Sequence, residues 1–366
     1  MAPKRKALVY YVSAHGYGHG VRTCDVLSVF CAKYPEVDLT LVSGLPEAFL
    51  RFRLGSVRFA FRSASFDVGM VQHDSVRVDM PGTLAAVQRV KAKHDEWVRQ
   101  EADFLREARA DLVVADIPSV PIAAAGLAGV PCIAVGNFAW NWIYAPFAQE
   151  DARWVELIEM FEADYRQADL LLRLPFAEPM RVFARQENMP LVAMPGKACR
   201  AELSRATGAA PDKTWVLLSF IELGWDKAAL DRVARLKEYE VFSVLPLSWP
   251  GSCVHAVDRY DFRFSDILAS VDAVISKPGF GLVSECIVNR KPLLYTERTH
   301  FVEYPILVEG IERHLQHAHI PQRELYAGRL EDGLRRLRAA PPPAQTLANN
   351  GAELIARRFM QVMGAG

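Results

Sequence analysis

Two short stretches gather the residues best able to do chemistry. "SAHGYGHG", residues 13–20, directly follows the apolar run Ala7–Val12 and holds Gly16, Gly18 and Gly20 together with His15 and His19. Glycine lets backbone N–H groups approach a ligand and tolerates positive φ, and a helix starting after such a loop adds partial positive charge. The loop therefore suits a phosphate, with Gly16 and Gly18 as contacts. An imidazole of near-neutral pKa suits removal of a proton from a hydroxyl. His19 is the first candidate for that base, because the field of the following helix keeps an imidazole neutral, and His15 is the second. A histidine that only caps the helix or bonds a carbonyl is the plainer alternative. The third glycine comes one residue too early for the G-x-G-x-x-G dinucleotide fingerprint, which disfavours a nicotinamide enzyme.

"ISKPGFGLVSE", residues 275–285, has the same logic: an apolar strand, a turn through Pro278, Gly279, Phe280 and Gly281, then an amphipathic helix. It presents a helix N-terminus to an anion with Lys277 beside it. Glu285 falls one turn into the helix, where a carboxylate can accept from two adjacent ribose hydroxyls; the alternative is a glutamate that only favours the helix dipole. Asp116 ends another apolar run before Ile117-Pro118, so it either orients a histidine of the first loop or caps the next helix. Asn137, Trp140, Asn141 and Trp142 offer flat faces and amides suited to a sugar ring, or core packing. "RHLQHAH" (313–319) lacks carboxylates or cysteines at metal-ligand spacing and reads as a polar helix end, so no metal site is expected.

The elements that must position these residues are legible as a rhythm. Ala7–Ser13, Val37–Ser43, Val57–Phe61, Leu112–Asp116 and Cys132–Gly136 are continuous apolar runs, expected as strands covered on both faces. Helical spacing over Val21–Tyr34, Thr83–Ala108 and Val120–Ala128 makes the series βαβ. Leu174–Pro195, with four prolines and no clean strand, reads as a connection. The rhythm then resumes with strands at Trp215–Ser219, Tyr239–Leu245, Val271–Ser276 and Pro292–Tyr295 and helices at Lys227–Lys237 and Leu282–Val288. The proline triplet 341–343 stops the last of these helices, and Ala344–Met363 reads as a terminal helix. The expected organisation is an N-terminal domain over 1–175, a connection over 176–200, a C-terminal domain over 201–343, and a helix over 344–366 that packs back on the first domain.

Composition excludes several classes. With 366 residues, 51% hydrophobic and 23% charged, the chain is of globular type and long enough for two domains. Lys+Arg 43 against Asp+Glu 43 gives no net charge and no overall pull toward nucleic acid. No run approaches the roughly 18 apolar residues of a membrane span. The six scattered cysteines contain no C-x-x-C pair and read as buried thiols, so a cytoplasmic location is expected.

"SKPGFGLVSE" resembles the nucleotide-sugar motif in the C-terminal domain of GT-B glycosyltransferases, including the transferase that forms lipid II. "YYVSAHGYGHGVR", "VVADIPSVP", "GNFAWNWIY" and "LLRLP" resemble the glycosyltransferase-like N-terminal region of plant L-arabinokinases and related bacterial proteins. The resemblance implies the GT-B fold, two tandem Rossmann-like domains facing each other across a cleft. It implies a nucleoside-diphosphate sugar, of the UDP type, as donor substrate, a hydroxyl acceptor, no tightly bound cofactor, and metal-independent, inverting transfer. Ser276, Gly279, Phe280 and Gly281 would then meet the diphosphate and Glu285 the ribose. His300 and Glu303, in "RTHFVEYP", would meet the donor sugar. One stretch departs: after Trp215–Ser219 such proteins carry a glycine-rich turn, whereas here Phe220–Trp225 holds Glu222, which would repel a diphosphate unless the loop points elsewhere. A 2-epimerase of nucleotide sugars and a non-catalytic nucleotide-sugar-binding protein stay open as alternatives.

Overall fold

A computed structural model describes residues 5–299 and 301–364. The chain forms two compact units: 1–71 with 79–192 and 348–366, and 72–78 with 193–347.

In the first unit the chain order is β1 (Ala7–Val12), α1 (Tyr17–Lys33), β2 (Asp38–Ser43), α2 (Glu47–Leu54), β3 (Ala60–Ser63), α3 (Met80–Glu107), β4 (Leu112–Asp116), α4 (Val120–Ala128), β5 (Cys132–Gly136), α5 (Trp140–Tyr144), α6 (Arg153–Tyr165), β6 (Leu170–Arg173) and β7 (Gln186–Asn188). The seven strands are all parallel in the order β3-β2-β1-β4-β5-β6-β7. Helical crossovers cover both faces, which is why β1, β4 and β5 read as unbroken apolar runs rather than alternating ones. The strand expected near Val57 starts three residues later, at Ala60, and the stretch 174–195, expected to be strand-free, supplies the short edge strand β7.

The second unit runs α7 (Arg200–Thr207), β8 (Thr214–Ser219), α8 (Lys227–Val233), β9 (Tyr239–Val244), β10 (Val254–Val257), α9 (Phe264–Ser270), β11 (Ala273–Ser276), α10 (Phe280–Val288), β12 (Leu293–Tyr295), α11 (Tyr304–His314), β13 (His317–His319), α12 (Gln322–Tyr326) and α13 (Glu331–Ala339). Its six parallel strands are ordered β10-β9-β8-β11-β12-β13. His317 and His319 thus lie on an edge strand, not at the helix end expected from the sequence; that helix stops at His314.

The last helix, α14 (Gly351–Gly364), belongs to the first unit: Phe359 meets Tyr10 and Phe30 edge-on, and the chain before it is laced to residue 191 by the Leu191 N–H to Ala348 carbonyl and Gly351 N–H to Leu191 carbonyl bonds. Gly351 is required by this lacing, because a Cβ there would lie 2.3 Å from the Pro190 carbonyl oxygen. Residues 72–78 are the converse. They leave the first unit as a small hairpin, closed by the Gln72 and Val78 bridge, and Val76 is buried in the second unit's core beside Phe220 and Leu223.

α3, α4 and α6 are joined by one buried carboxylate. Asp164 takes the Ser119 hydroxyl at 2.6 Å and faces His94 Nε2 at 2.9 Å, while His94 Nδ1 lies 2.9 Å from Asp95. The bond to Asp164 outweighs burial and lifts the imidazole to about 9. Because this folded value exceeds the roughly 6.5 of an unfolded histidine, the clamp contributes fully below about pH 6.5 and fades as pH rises through about 9. Chemical denaturation at pH 6 and pH 9.5 should therefore show a loss of stability at the higher pH that is absent from His94→Gln; equal loss in both would remove the clamp from the account.

Candidate functional site

In both sheets the strand order reverses once, between β1 and β4 in the first unit and between β8 and β11 in the second. Loops leaving the carboxyl ends of such a strand pair diverge to opposite faces and open a crevice at the strand tips. Both sequence motifs lie there.

In the first unit, Val12 and Asp116 are register partners at the strand ends, and the Ser13 N–H donates to the Asp116 carbonyl at 2.8 Å. The chain turns through Gly16, whose φ of +79° is where glycine escapes a Cβ penalty, and enters α1 at Tyr17. His19 is therefore inside the first turn of α1, not ahead of the helix as the sequence reading had it. Gly20 serves packing: a Cβ would sit 2.5 Å from Leu45 Cδ1 on the loop leading into α2.

His19 Nδ1 lies 2.8 Å from Asp116 Oδ1, and Asp116 has no solvent exposure. Arg22, one turn further along α1, closes on the same carboxylate through Nε at 2.7 Å and through Nη2, and Thr23 Oγ1 adds a bond at 3.2 Å. Burial alone would push this carboxyl up; Arg22, with His19 behind it, holds it instead at about 2. Arg22 Nη1 reaches Asn137 Oδ1 at 2.5 Å, and the Asn137 amide donates to the Pro175 carbonyl at 2.6 Å.

The tautomer of His19 follows from this network. Arg22 Nη2 is also 2.9 Å from His19 Nδ1. Were Nδ1 the acceptor, its lone pair would face that of Asp116 Oδ1 at 2.8 Å, two like dipole ends in a site closed to water. With the proton on Nδ1, Oδ1 accepts from both His19 and Arg22 and every group is satisfied. Nε2 then carries the lone pair.

His15 and Trp140 are packed against neighbours in the first unit. His15 is pressed against Gly69, where a Cβ would come within 2.0 Å of its Nδ1, and its ring meets Trp140 edge-on. Trp140 is core: it stacks on Tyr144 and donates its indole N–H to Asp67 at 3.0 Å. Asp67 is a buried carboxyl whose pKa burial raises, and it is close enough to feel the charge of Asp116. The sequence reading passed over Asp67 and Arg22; the only signal for Arg22 was its position one turn after His19.

In the second unit, Ser219 and Ser276 are register partners at the tips of β8 and β11, and the Ser276 hydroxyl donates to the Ser219 carbonyl at 2.8 Å. That bond commits the hydroxyl proton that a phosphate would need. Gly279 stands at the N-cap of α10 with no side-chain capping bond, and its Cβ direction is open. Glu285 is buried in the second turn. Lys277 is pushed down to about 7 by burial and then by Arg298, against the pull of Glu303. Glu303 stands at the N-cap position of α11 without a side-chain capping bond, with Arg298 Nη1 at 3.6 Å. His300 lies outside the described residues.

The departure at Phe220–Trp225 has a physical account. The Ile221 and Glu222 N–H groups both donate to Ser75 Oγ, at 3.2 and 3.1 Å, and Ser75 N–H donates back to the Glu222 carbonyl. Ser75 is fixed in turn by Asp74, which accepts from the Val76 and Arg77 amides, the Arg77 guanidinium and the Tyr326 hydroxyl. Amides expected to face a phosphate are thus taken by a serine, and the Glu222 side chain is exposed.

Arg22→Leu should leave Asp116 a buried, unpaired charge and cost about 3–5 kcal/mol in urea denaturation, and adding Asp116→Asn should restore part of it. A cost under about 1 kcal/mol for Arg22→Leu would mean the pair does not hold the strand tips together.

No family model matches the chain. It is similar to the L-arabinokinase of Arabidopsis thaliana, 28% identical over 381 residues, which cover 99% of this chain and 35% of that protein; the chain thus spans about a third of its relative's length. Among solved structures, a glycosyltransferase of kitacinnamycin superposes with TM-score 0.63 at 14% identity, covering 98% of this chain and all of that one. Glycosyltransferase VinC, solved with DTDP, gives 0.58 at 16% identity over 98% of this chain and 100% of that one. UGT89C1 of Arabidopsis thaliana, solved with UDP-L-rhamnose, gives 0.59 at 15% identity over 98% of this chain and 94% of that one. The fold is GT-B. Among the described residues, no helix is long and apolar enough to cross a membrane.

Proposed function

We propose that the chain is a glycosyltransferase that moves a sugar from a nucleoside-diphosphate sugar, of the UDP type, to a hydroxyl acceptor, with inversion and without a metal ion. The observation that carries this reading is the His19 and Asp116 pair at the switch point of the first sheet, with Nε2 carrying the lone pair.

His19 Nε2 takes the acceptor's hydroxyl proton as the oxygen attacks the anomeric carbon. The bond from that carbon to the diphosphate oxygen breaks, and the nucleoside diphosphate departs with the electron pair. One displacement gives inversion. Asp116 stabilises the imidazolium that forms and fixes its tautomer; Arg22 keeps Asp116 ionised in a site where burial favours protonation. In the second unit, the uncapped N-terminus of α10 and Lys277 meet the charge developing on the diphosphate, the part a divalent cation plays elsewhere. Glu285 accepts from the ribose hydroxyls, and Glu303 from the donor sugar. Ser276 keeps the turn in shape through Ser219 and leaves phosphate contact to backbone amides at Gly279, Phe280 and Gly281. The similarity to part of L-arabinokinase and to glycosyltransferases supports the reading.

Two measurements test it. Uridine diphosphate should raise the melting temperature, and Glu285→Ala should weaken its binding by roughly 1–3 kcal/mol; an unaltered response in the folded variant would sink that assignment. His19→Ala should lower turnover of a UDP-sugar by roughly 10²–10⁴ with nucleotide affinity nearly unchanged, while His15→Ala should act through stability alone. Full activity in His19→Ala would reject the base.

A further inference from the structure

The loop after β12 holds an arginine that the scheme above does not use. Thr296 N–H donates to the Ser276 carbonyl at 3.1 Å, so this loop is tied to the turn that carries Lys277. Two residues on, the Arg298 side chain is 5% exposed and its guanidinium carbon sits 3.0 Å from the centroid of the Phe301 ring. The carboxylate paired with it, Glu303, is 3.6 Å away, beyond a good charge-assisted bond, and among the described residues its buried Nε has no hydrogen-bond partner.

This is an unfinished site. Burial draws Arg298 down to about 10 with Glu303 opposing, and Lys277 is depressed partly because Arg298 is near. Two cations share one loosely held carboxylate, and one guanidinium donor has nothing to bond. A buried donor without a partner calls for an explanation; Arg22 in the first unit, by contrast, has its donors engaged. Nε together with Nη2 forms the edge of a guanidinium that receives two oxygens of a carboxylate or phosphate side by side.

We infer that Arg298 is a donor-binding residue whose Nε edge receives an anionic group of the nucleotide sugar. The inference rests on reading the second unit as the donor site. That group is either the diphosphate or, on a sugar acid, the sugar's own carboxylate; both present paired anionic oxygens.

Isothermal titration of wild type, Arg298→Gln and Arg298→Lys with UDP, UDP-glucose and UDP-glucuronate separates the cases. If the diphosphate is the partner, Arg298→Gln weakens all three by roughly 10–100-fold. If the carboxylate is the partner, only UDP-glucuronate weakens, and wild type prefers it over UDP-glucose. Arg298→Lys, which keeps charge but loses the fork, should recover only part in either case. Unchanged affinities in a folded Arg298→Gln overturn this inference and leave the donor reading standing. No binding of any of the three to wild type overturns both. The melting temperature of ligand-free Arg298→Gln is the control: it should equal or exceed wild type, since a buried unsatisfied cation is removed, and a clear fall with unchanged affinities would assign Arg298 to the fold.

Discussion

The first unit is organised around a charge that burial ought to forbid. Asp116 sits at the tip of a central strand, closed to water, and a lone carboxylate there would be protonated. Arg22 alters that outcome by meeting both carboxylate oxygens, and Thr23 and His19 take the remaining acceptor capacity. The requirement propagates outward. Arg22 reaches Asp116 from the second turn of α1, which starts at Tyr17 just after the tip of β1. Asn137, at the tip of β5, then satisfies the guanidinium nitrogen that Asp116 leaves over, and through Pro175 it ties in the loop after β6. Three neighbouring strand tips, β4, β5 and β6, are thereby held by one polar chain. His19 inherits a fixed orientation from it.

The second unit solves its electrostatics differently. At its switch point Ser219 and Ser276 join the strand tips through one neutral bond, and Lys277 stands beside it with Arg298 and Glu303 near. In the first unit the ion pair is completed within the protein; in the second, Arg298 has only the loosely held Glu303. The contrast between Arg22, with its donors spent, and Arg298, with an orphaned Nε, expresses this at the level of two side chains.

Much of this was legible in the sequence because the relevant signals are local. β4 and β5 could be bounded to the residue, since unbroken apolarity and the following Ile-Pro or Gly-Asn mark both the strand and its tip. Asp116 was found for that reason. What escaped was non-local or short. Arg22 reads as an ordinary helix residue until a strand 94 positions away supplies its partner. β7 and β13, three residues each, carry no periodicity, and the polar His317-Ala-His319 is tolerated because only one of its edges is paired. The register of His19 also escaped: the helix starts two residues before it, and a carboxylate stands at its ring nitrogen. Gly20 shows the same limit in reverse, a residue that looked like ligand geometry and is a packing requirement of Leu45.

The hairpin over 72–78 was the least legible feature. "QHDSVRV" has no motif, yet it carries a burial pattern that makes sense only inside the second unit's core, where Val76 is fully enclosed. Its effect on phosphate chemistry is specific. Ser75 saturates two backbone amides after β8 with a neutral oxygen. A carboxylate in the following residue is then harmless, because Glu222 is presented to solvent and its backbone is fixed by the hairpin instead of by a ligand. The requirement for a glycine-rich turn disappears with the ligand contact, since close backbone approach to a phosphate is what such glycines permit. What the hairpin leaves unaltered in this unit is the N-terminus of α10, which has no side-chain cap, with Lys277 depressed by burial and by the nearby Arg298.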